Sequence, residues 1–120
     1  MLKYLNGQEK ERCRSLWEEA FPEDSQSFVD YYFKEKMKDN RVLACDEDGR
    51  IVSMLHRNPY RIYMRGAEYT CDYIVGVSTA VSERNKGHMR NLILTVLRDM
   101  QEERMPFTFF MPARESLYLP

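Results

Sequence analysis

The stretch between Tyr73 and Met111 constrains the fold of this 120-residue chain more than any other part of it. An apolar run at residues 73–77 leads into a basic turn that contains Gly87, and an amphipathic segment follows the turn. A second apolar run occupies residues 107–111. Two runs of strand length joined by one helix predict a βαβ unit, with parallel strands and a right-handed crossover.

The segment between the two runs has the period of a helix. Its apolar residues recur at steps of three and four, with polar and charged residues between them, and they are Met89, Leu92, Ile93, Val96, Leu97 and Met100. Pro106 stops the pattern because proline cannot continue a helix. The sequence therefore predicts a helix from the Gly87 turn to about Arg104.

The turn before this helix has the composition of an anion site. Backbone N–H groups in the first turn of a helix have no internal partner, and the helix dipole adds partial positive charge there. Gly87 has no Cβ, so a phosphate can approach its backbone closely. Arg84, Lys86 and Arg90 add full positive charge around it. These features predict a phosphate cradle; the alternative is a glycine that only starts a helix.

The composition argues against several classes of protein. A hydrophobic content of 43% and a formal net charge of −1 are typical of one soluble domain without a broad basic face. Cys13, Cys45 and Cys71 form no CxxC pair, which argues against a zinc site and a disulfide framework. No N-terminal apolar region and no apolar run of roughly 20 residues occur. We therefore expect a cytoplasmic protein with no nucleic-acid, membrane or metal partner.

The first third of the chain predicts two short amphipathic helices. The first covers about residues 6–21 and stops at Pro22, and Asp24 or Ser25 can cap the second. The apolar face of the second helix is predicted to contain Phe28, Val29, Tyr32, Phe33 and Met37. Together these segments predict an α-hairpin that lies on a sheet.

The middle of the chain predicts an antiparallel meander. Strands are expected at residues 42–45, 51–64 and 68–79, with turns at Gly49 and Gly66 and a break or bulge at Asn58 and Pro59. Gly76 interrupts the last of these strands, and it marks either a bulge or a glycine packed under an aromatic ring.

This order of elements resembles the GNAT acyl-CoA N-acyltransferases. The match is carried by the turn Arg84-Asn85-Lys86-Gly87-His88-Met89. It is similar to the family's phosphate-binding signature of Gln or Arg, two variable residues, Gly, one variable residue, and Gly or Ala. Met89 departs from the last position, and we interpret its side chain as facing the core.

The resemblance implies a GNAT-like α/β fold with a mixed sheet, and acetyl-CoA as cofactor. The strand end would pair with the pantetheine arm, and the turn and helix start would bind the pyrophosphate. The implied cofactor-binding residues are Val77, Ser78, Thr79, Arg84, Asn85, Lys86, Gly87, His88, Met89 and Arg90. Among these, His88 is interpreted as a solvent-facing residue at a helix start and not as a catalytic base.

A closer resemblance is to the Eis-type branch, named for enhanced intracellular survival. Lys86-Gly87-His88-Met89-Arg90 is similar to that branch's turn, and Leu117-Tyr118 looks like a pair whose tyrosine is the general acid. The resemblance therefore implies a catalytic role for Tyr118. Eis-type enzymes continue further and use a C-terminal carboxylate. We expect residues 1–120 to be one N-terminal GNAT-like domain of a longer protein, with the last strands of the fold missing.

The predicted activity is acetyl-CoA-dependent N-acetyltransfer to a primary amine of a small molecule or peptide, such as an aminoglycoside, a polyamine or a lysine. A non-catalytic acyl-CoA-binding or regulatory module is the alternative. A nucleotide-binding βαβ protein is a third hypothesis, and the turn argues against it because the sequence lacks the three-glycine fingerprint of that class. A homo-oligomer could form through the exposed sheet edge. Glu23, Asp24 and Asp72 could attract a cationic acceptor, although solvated charges at element ends are the favoured interpretation.

Overall fold

The computed structural model describes residues 1–105 and the two-residue strand at 109–110. The helices and strands in chain order are β1 (Leu2–Tyr4), α1 (Cys13–Ala20), α2 (Gln26–Glu35), β2 (Arg41–Glu47), β3 (Arg50–Met64), β4 (Ala67–Thr79), α3 (His88–Glu102) and β5 (Phe109–Phe110). Short 3₁₀ turns precede α1 at Glu9–Arg12 and follow α2 at Lys36–Lys38. The predicted α-hairpin, meander and βαβ unit are all present.

The five strands form one mixed sheet in the order β1-β2-β3-β4-β5. The first four are antiparallel neighbours, and β5 runs parallel to β4, with Tyr73 opposite Phe109 and Ile74 opposite Phe110. The parallel pair across α3 confirms the βαβ prediction. The rest of the strand predicted at residues 107–111 lies outside the described residues.

The two hairpin turns form where they were predicted. Asp48 and Gly49 have φ of 53° and 91°, and Arg65 and Gly66 have φ of 51° and 78°. Two consecutive residues of positive φ are the mark of a type I′ turn, whose twist matches that of the flanking strands. The turns therefore fix the registers of β2 with β3 and of β3 with β4.

The predicted break at Asn58 and Pro59 is wrong. β3 runs without interruption from Arg50 to Met64, and Pro59 lies opposite Asp72 on β4. β2 begins at Arg41, opposite Arg57, so β3 has no β2 neighbour beyond that point. Proline is tolerated at strand edges, and among the described strands β3 has no neighbour on this side at Pro59.

The N-terminal segment differs from the prediction in three respects. Leu2–Tyr4 forms a strand that the sequence did not predict. The first α-helix starts at Cys13 and not near residue 6, after the 3₁₀ turn. The cap of α2, by contrast, is one of the two predicted residues: Ser25 Oγ accepts the Phe28 N–H at 3.1 Å. Phe28 lies beside Tyr32, at a ring centroid distance of 6.2 Å, but it is 43% exposed, so the predicted apolar face of α2 is not buried over its whole width.

Two apolar clusters lie on opposite faces of the sheet, because successive strand residues point to opposite sides. Val42 and Ala44 face the α1–α2 hairpin, and Leu43 between them faces α3. Buried residues from the helices complete the hairpin cluster (Cys13, Leu16, Trp17, Val29, Tyr32 and Phe33) and the α3 cluster (Leu92, Val96 and Met100). The helices therefore hold β4 from both sides.

Cys13, Cys45 and Cys71 are buried free thiols. Among the described residues, no cluster of three or more His, Cys, Asp or Glu side chains could hold a metal ion. No helix in the described part of the chain is long and apolar enough to cross a membrane.

Candidate active site

β4 carries a bulge at Gly76. Met54 on β3 lies opposite Ser78 and His56 lies opposite Val75, so β4 has one more residue than β3 in this interval. Gly76 has a φ of +64°, a conformation that residues with a Cβ rarely adopt. The predicted bulge is therefore present, and it changes the direction of the strand just before Val77.

Gly76 is also a packing glycine. A Cβ at this position would lie 2.7 Å from Trp17 Cζ3 and 2.9 Å from His56 Cδ2. The Trp17 indole is held there because its Nε1 donates to Asp24 Oδ2 at 3.0 Å and its ring contacts Tyr32 at a centroid distance of 4.5 Å. Both interpretations of Gly76 that the sequence left open are therefore correct.

A loop with two left-handed residues connects the bulged strand to α3. After the 3₁₀ turn Val81–Glu83, Asn85 has a φ of 66° and Gly87 a φ of 83°. Gly87 is the N-cap of α3, and no side chain of the described residues caps this end. The N–H groups of His88, Met89 and Arg90 are therefore the donors that lack an intrahelical partner. No described atom lies within 4 Å of the position where a Gly87 Cβ would be, so the approach to these donors is open.

A groove of about 710 Å³ brings the strand end, the loop and the helix start together. One wall contains nine of the ten predicted cofactor-binding residues: Val77, Ser78, Thr79, Arg84, Asn85, Gly87, His88, Met89 and Arg90. The other wall is the link between α1 and α2, which contributes Glu19, Ala20, Phe21, Pro22 and Glu23. Lys86 does not line the groove, and its Nζ donates to Glu83 Oε2 at 3.1 Å.

The open edge of β4 faces the side on which β5 pairs. Among the described strands, β5 pairs with β4 only at Tyr73 and Ile74, before the bulge. On that side, the backbone groups of the strand beyond Gly76 have no partner strand in the described part of the chain. These groups can bind an extended ligand as a further strand would.

The first turn of α3 differs partly from the prediction. Met89 is half-buried and packs against the α3 cluster, as its apolar position predicted. His88 is not solvent-facing, since its side chain is only 16% exposed and its Nε2 lies 3.6 Å from Glu83 Oε1. The groove side of the helix start therefore carries a partly buried imidazole. The burial of His88 could not be predicted from the sequence, because it depends on the conformation of the loop that contains Glu83.

Glu19 connects the two walls of the groove. Its Oε2 accepts the Val81 N–H at 3.1 Å, so α1 is tied to the first residue of the loop. The sequence did not indicate this contact, because in the sequence Glu19 is one of several charged residues of the α1 segment. The bond fixes the width of the groove at the end of β4.

A buried polar chain lies beneath the bulge. Tyr32 Oη and His56 Nδ1 are 3.0 Å apart, and the same hydroxyl lies 3.3 Å from Asn58 Oδ1. Burial lowers the pKa of His56 to about 3, so the imidazole is neutral at pH 7. A neutral, fully buried imidazole packed against Gly76 supports the strand, and nothing in the sequence indicated this role.

A second buried network surrounds Arg57 and corrects the interpretation of Asp72. Asp72 was interpreted as a solvated charge, but it is buried and its Oδ2 accepts from Arg57 Nε at 2.7 Å. Arg57 also donates to Glu103 at 3.0 Å and 3.2 Å and to the Tyr4 hydroxyl at 2.8 Å. The network joins β1, β3 and β4 to the end of α3, so it positions the helix whose start forms the groove.

Acid is expected to weaken this network through Glu103. Hydrogen bonds from Arg41 and Arg57 lower the pKa of the Glu103 carboxyl from 4.5 to about 2. A lowered folded-state pKa stabilises the fold above about pH 4.5, and this contribution is lost as the pH falls toward 2. Glu103→Gln should therefore reduce stability at pH 7 and flatten its decline between pH 4.5 and pH 2, as measured by chemical denaturation.

Glu102→Gln is the matched control, since it changes a neighbouring exposed carboxylate at the end of the same helix. It should leave both the stability at pH 7 and the slope nearly unchanged. Equal slopes for Glu103→Gln and the wild type would contradict the role of Glu103.

Tyr118, the predicted general acid, and its neighbour Leu117 lie outside the described residues.

A comparison with protein-family models shows to which family this chain belongs. The acetyltransferase (GNAT) domain model matches residues 2–120. The chain therefore belongs to the GNAT family, and its class is that of an N-acetyltransferase domain. GNAT acetyltransferases use acetyl-CoA. No curated protein sequence matches the chain.

Solved structures share this fold at low sequence identity. A probable N-acyltransferase from Enterococcus faecalis V583 superposes with a TM-score of 0.87 at 16% identity, over 98% of this chain and 30% of that one. A ribosomal-protein-alanine N-acetyltransferase from Brucella melitensis biovar Abortus 2308 gives a TM-score of 0.75 at 15% identity, over 98% and 88% of the two chains.

The third structure is AAC(6')-Iy in complex with the bisubstrate analogue CoA-S-monomethyl-acetylneamine. Its TM-score is 0.74 at 16% identity, over 98% of this chain and 82% of that one. This chain thus spans less than a third of the length of the Enterococcus protein and most of the other two. At these identities the likeness establishes the fold alone.

Proposed function

We propose that this chain transfers an acetyl group from acetyl-CoA to a primary amine. The observation that carries the proposal is the groove, in which the open edge of β4 after the bulge continues into an uncapped helix start. Family membership adds that such domains use acetyl-CoA. In the AAC(6')-Iy structure, a similar fold binds an analogue that contains coenzyme A.

The residues of the groove fit the two polar parts of coenzyme A. The N–H groups of His88, Met89 and Arg90 would bind the pyrophosphate, with positive charge from Arg84 and Arg90. The backbone of Val77, Ser78 and Thr79 would hold the pantetheine arm along β4. Gly87 leaves open space where a side chain would otherwise meet the phosphates.

Acetyl-CoA supplies an activated thioester when it is bound. The chain's own part is to hold the acceptor nitrogen near that carbonyl, with strand amides as hydrogen-bond donors to the carbonyl oxygen. A neutral amine would form a bond to the acetyl carbon, the C–S bond would break, and the nitrogen would lose a proton to water, so that an amide and a thiol result. We assign Tyr118 to protonate the departing thiolate, as the resemblance to the Eis-type branch suggests.

The second wall of the groove supports a proposal for the chemical class of the acceptor. Glu19 and Glu23 lie on this wall, and carboxylates favour a cationic amine. We propose an aminoglycoside-, polyamine- or lysine-like amine, and an N-terminal domain of Eis type within a longer protein. Association of copies through the sheet edge stays a prediction.

Isothermal titration with coenzyme A and a thiol-release assay with acetyl-CoA and an amine panel test the proposal. We expect micromolar binding and thiol release with at least one cationic amine. Binding without release for any amine would favour the acyl-CoA-binding module instead. Absence of binding would overturn both, and NAD and ATP serve as negative ligands in the same titration.

Two substitutions at Gly87 probe the phosphate cradle. Asn and Asp both tolerate positive φ better than other residues with a Cβ, and they differ mainly in one charge. We expect Gly87→Asp to raise the Kd for coenzyme A at least about tenfold above that of Gly87→Asn, because its carboxylate repels the phosphates. Isothermal titration measures both values.

Pantetheine, which lacks the phosphates, is the control ligand for this pair. Any inhibition of acetyl-CoA turnover by pantetheine should be the same in both variants. If Gly87→Asp and Gly87→Asn bind coenzyme A equally, the phosphates do not lie at the start of α3.

A further inference from the structure

Glu83 places a negative charge inside the loop that presents the anion-binding donors. It is the last residue of the 3₁₀ turn Val81–Glu83 and lines the groove together with Arg84 and His88. A carboxylate at this point opposes the attraction that the helix start and the nearby cations offer to an anion. Exposure of this carboxylate to solvent does not by itself explain why it lies beside anion-binding donors.

The carboxylate of Glu83 is directed at two groups of the same loop. Its Oε2 accepts from Lys86 Nζ at 3.1 Å, and its Oε1 lies 3.6 Å from His88 Nε2. His88 Nε2 is buried and has no hydrogen-bond partner among the described residues. The Lys86 ammonium lowers the pKa of Glu83, so the carboxylate is ionised at neutral pH. Both oxygens thus face groups that could serve an anionic ligand.

A phosphate and the Glu83 carboxylate compete for the same partners. Lys86 is 58% exposed on a flexible stem, so its ammonium can turn from Glu83 toward the groove without a change in the fold. While Glu83 holds it, Lys86 adds little net attraction for a ligand phosphate. Glu83 itself would lie near that phosphate, and two like charges repel.

We propose that Glu83 is an internal competitor of the cofactor phosphates: it holds Lys86 and lies beside His88 in the free protein, and coenzyme A must displace it to bind. This inference rests on the proposed phosphate site at the start of α3. The competition sets the affinity below what the cradle could reach without Glu83. Because weaker binding appears mainly in the dissociation rate, Glu83 also speeds release of the product coenzyme A.

Isothermal titration with coenzyme A on four proteins tests the inference: the wild type, Glu83→Gln, Lys86→Met and the double variant. Glu83→Gln should lower the Kd about three- to tenfold, since it removes the competing charge and frees Lys86. Lys86→Met should change the Kd less than about twofold in the wild-type background, but raise it about three- to tenfold in the Glu83→Gln background. The gain should shrink in about 1 M salt, which screens exposed charges.

Glu102→Gln makes the same charge change at the far end of α3, and it should leave the Kd unaltered. An unchanged or higher Kd for Glu83→Gln, with each variant folded by thermal melting, would overturn the inference. So would equal effects of Lys86→Met in both backgrounds. Failure of the wild type to bind coenzyme A would instead overturn the proposed function.

Discussion

Gly76→Ala is expected to destabilise the fold by about 2–4 kcal/mol. The new methyl group would lie 2.7 Å from Trp17 Cζ3 and 2.9 Å from His56 Cδ2, closer than carbon atoms can approach. Both rings are buried and held by hydrogen bonds at Asp24 and Tyr32, so neither can move aside cheaply. A positive φ of 64° adds strain for any residue with a Cβ. Chemical denaturation at pH 7 measures the loss.

Gly66→Ala is the matched control for backbone strain. Gly66 has a φ of 78°, and no described atom lies within 4 Å of the position of an added Cβ. Its substitution should therefore cost only about 1 kcal/mol, which is the backbone strain of an alanine at positive φ. The difference between the two variants isolates the steric clash under β4. Equal losses of stability in the two variants would mean that the backbone at the bulge shifts to accommodate the methyl group. The contacts with Trp17 and His56 would then not fix the bulge.

The bulge also predicts an effect on function. Since Gly76 immediately precedes the open edge of β4, a shift there would move the backbone of Val77 and Ser78 relative to the Gly87 turn. The folded fraction of Gly76→Ala should bind coenzyme A more weakly than the wild type, whereas Gly66→Ala should bind it equally well. This comparison separates the role of the bulge in positioning from its role in stability.

The local parts of the site could be predicted from the sequence, because short-range rules determine them. A glycine of positive φ before an amphipathic helix can be predicted from neighbouring residues, and so can the turns at Gly49 and Gly66. The order of strands around α3 followed from the apolar runs. Together with the resemblance to the GNAT family, these features predicted ten cofactor-binding residues, and the structure brings nine of them to one groove.

The supporting parts could not be predicted, because they depend on contacts between residues distant in the chain. Arg57 and Glu103 are 46 positions apart, and Glu19 meets Val81 across 62 positions. In a single sequence each of these charges has the appearance of a solvated side chain. The prediction at Pro59 was wrong for a related reason. Whether β3 can contain a proline at this position depends on where the neighbouring strand β2 starts, and the sequence of β3 does not show this.

Arg57→Leu is expected to cost about 3–5 kcal/mol of stability, the usual result when one partner of a buried ion pair is removed. Arg57 is 0% exposed, and its loss leaves Asp72 with the more distant Arg41 at 3.3 Å among its cationic partners. A buried carboxylate with fewer donors is costly because burial has already removed its water. Leucine fills part of the space, so the loss reflects charge more than a cavity. Denaturant unfolding at pH 7 measures it.

Arg61→Leu provides the control on the same strand. Arg61 is paired with Glu68 at 3.4 Å, but its side chain is 75% exposed, so water screens the pair. Its substitution should change stability by less than about 1 kcal/mol. A similar loss in both variants would mean that the Arg57 network acts no differently from a surface pair.

The location of the network decides what the loss should do to function. Arg57 holds Glu103, which follows α3, whereas the phosphate donors lie at the opposite end of that helix. If α3 moves as a rigid body, Arg57→Leu should weaken coenzyme A binding even where the protein is still folded. If only its last turn frays, the Kd should match that of Arg61→Leu while the stability differs. Titration of both variants well below their melting temperatures therefore tests whether the sheet positions the whole helix or only its end.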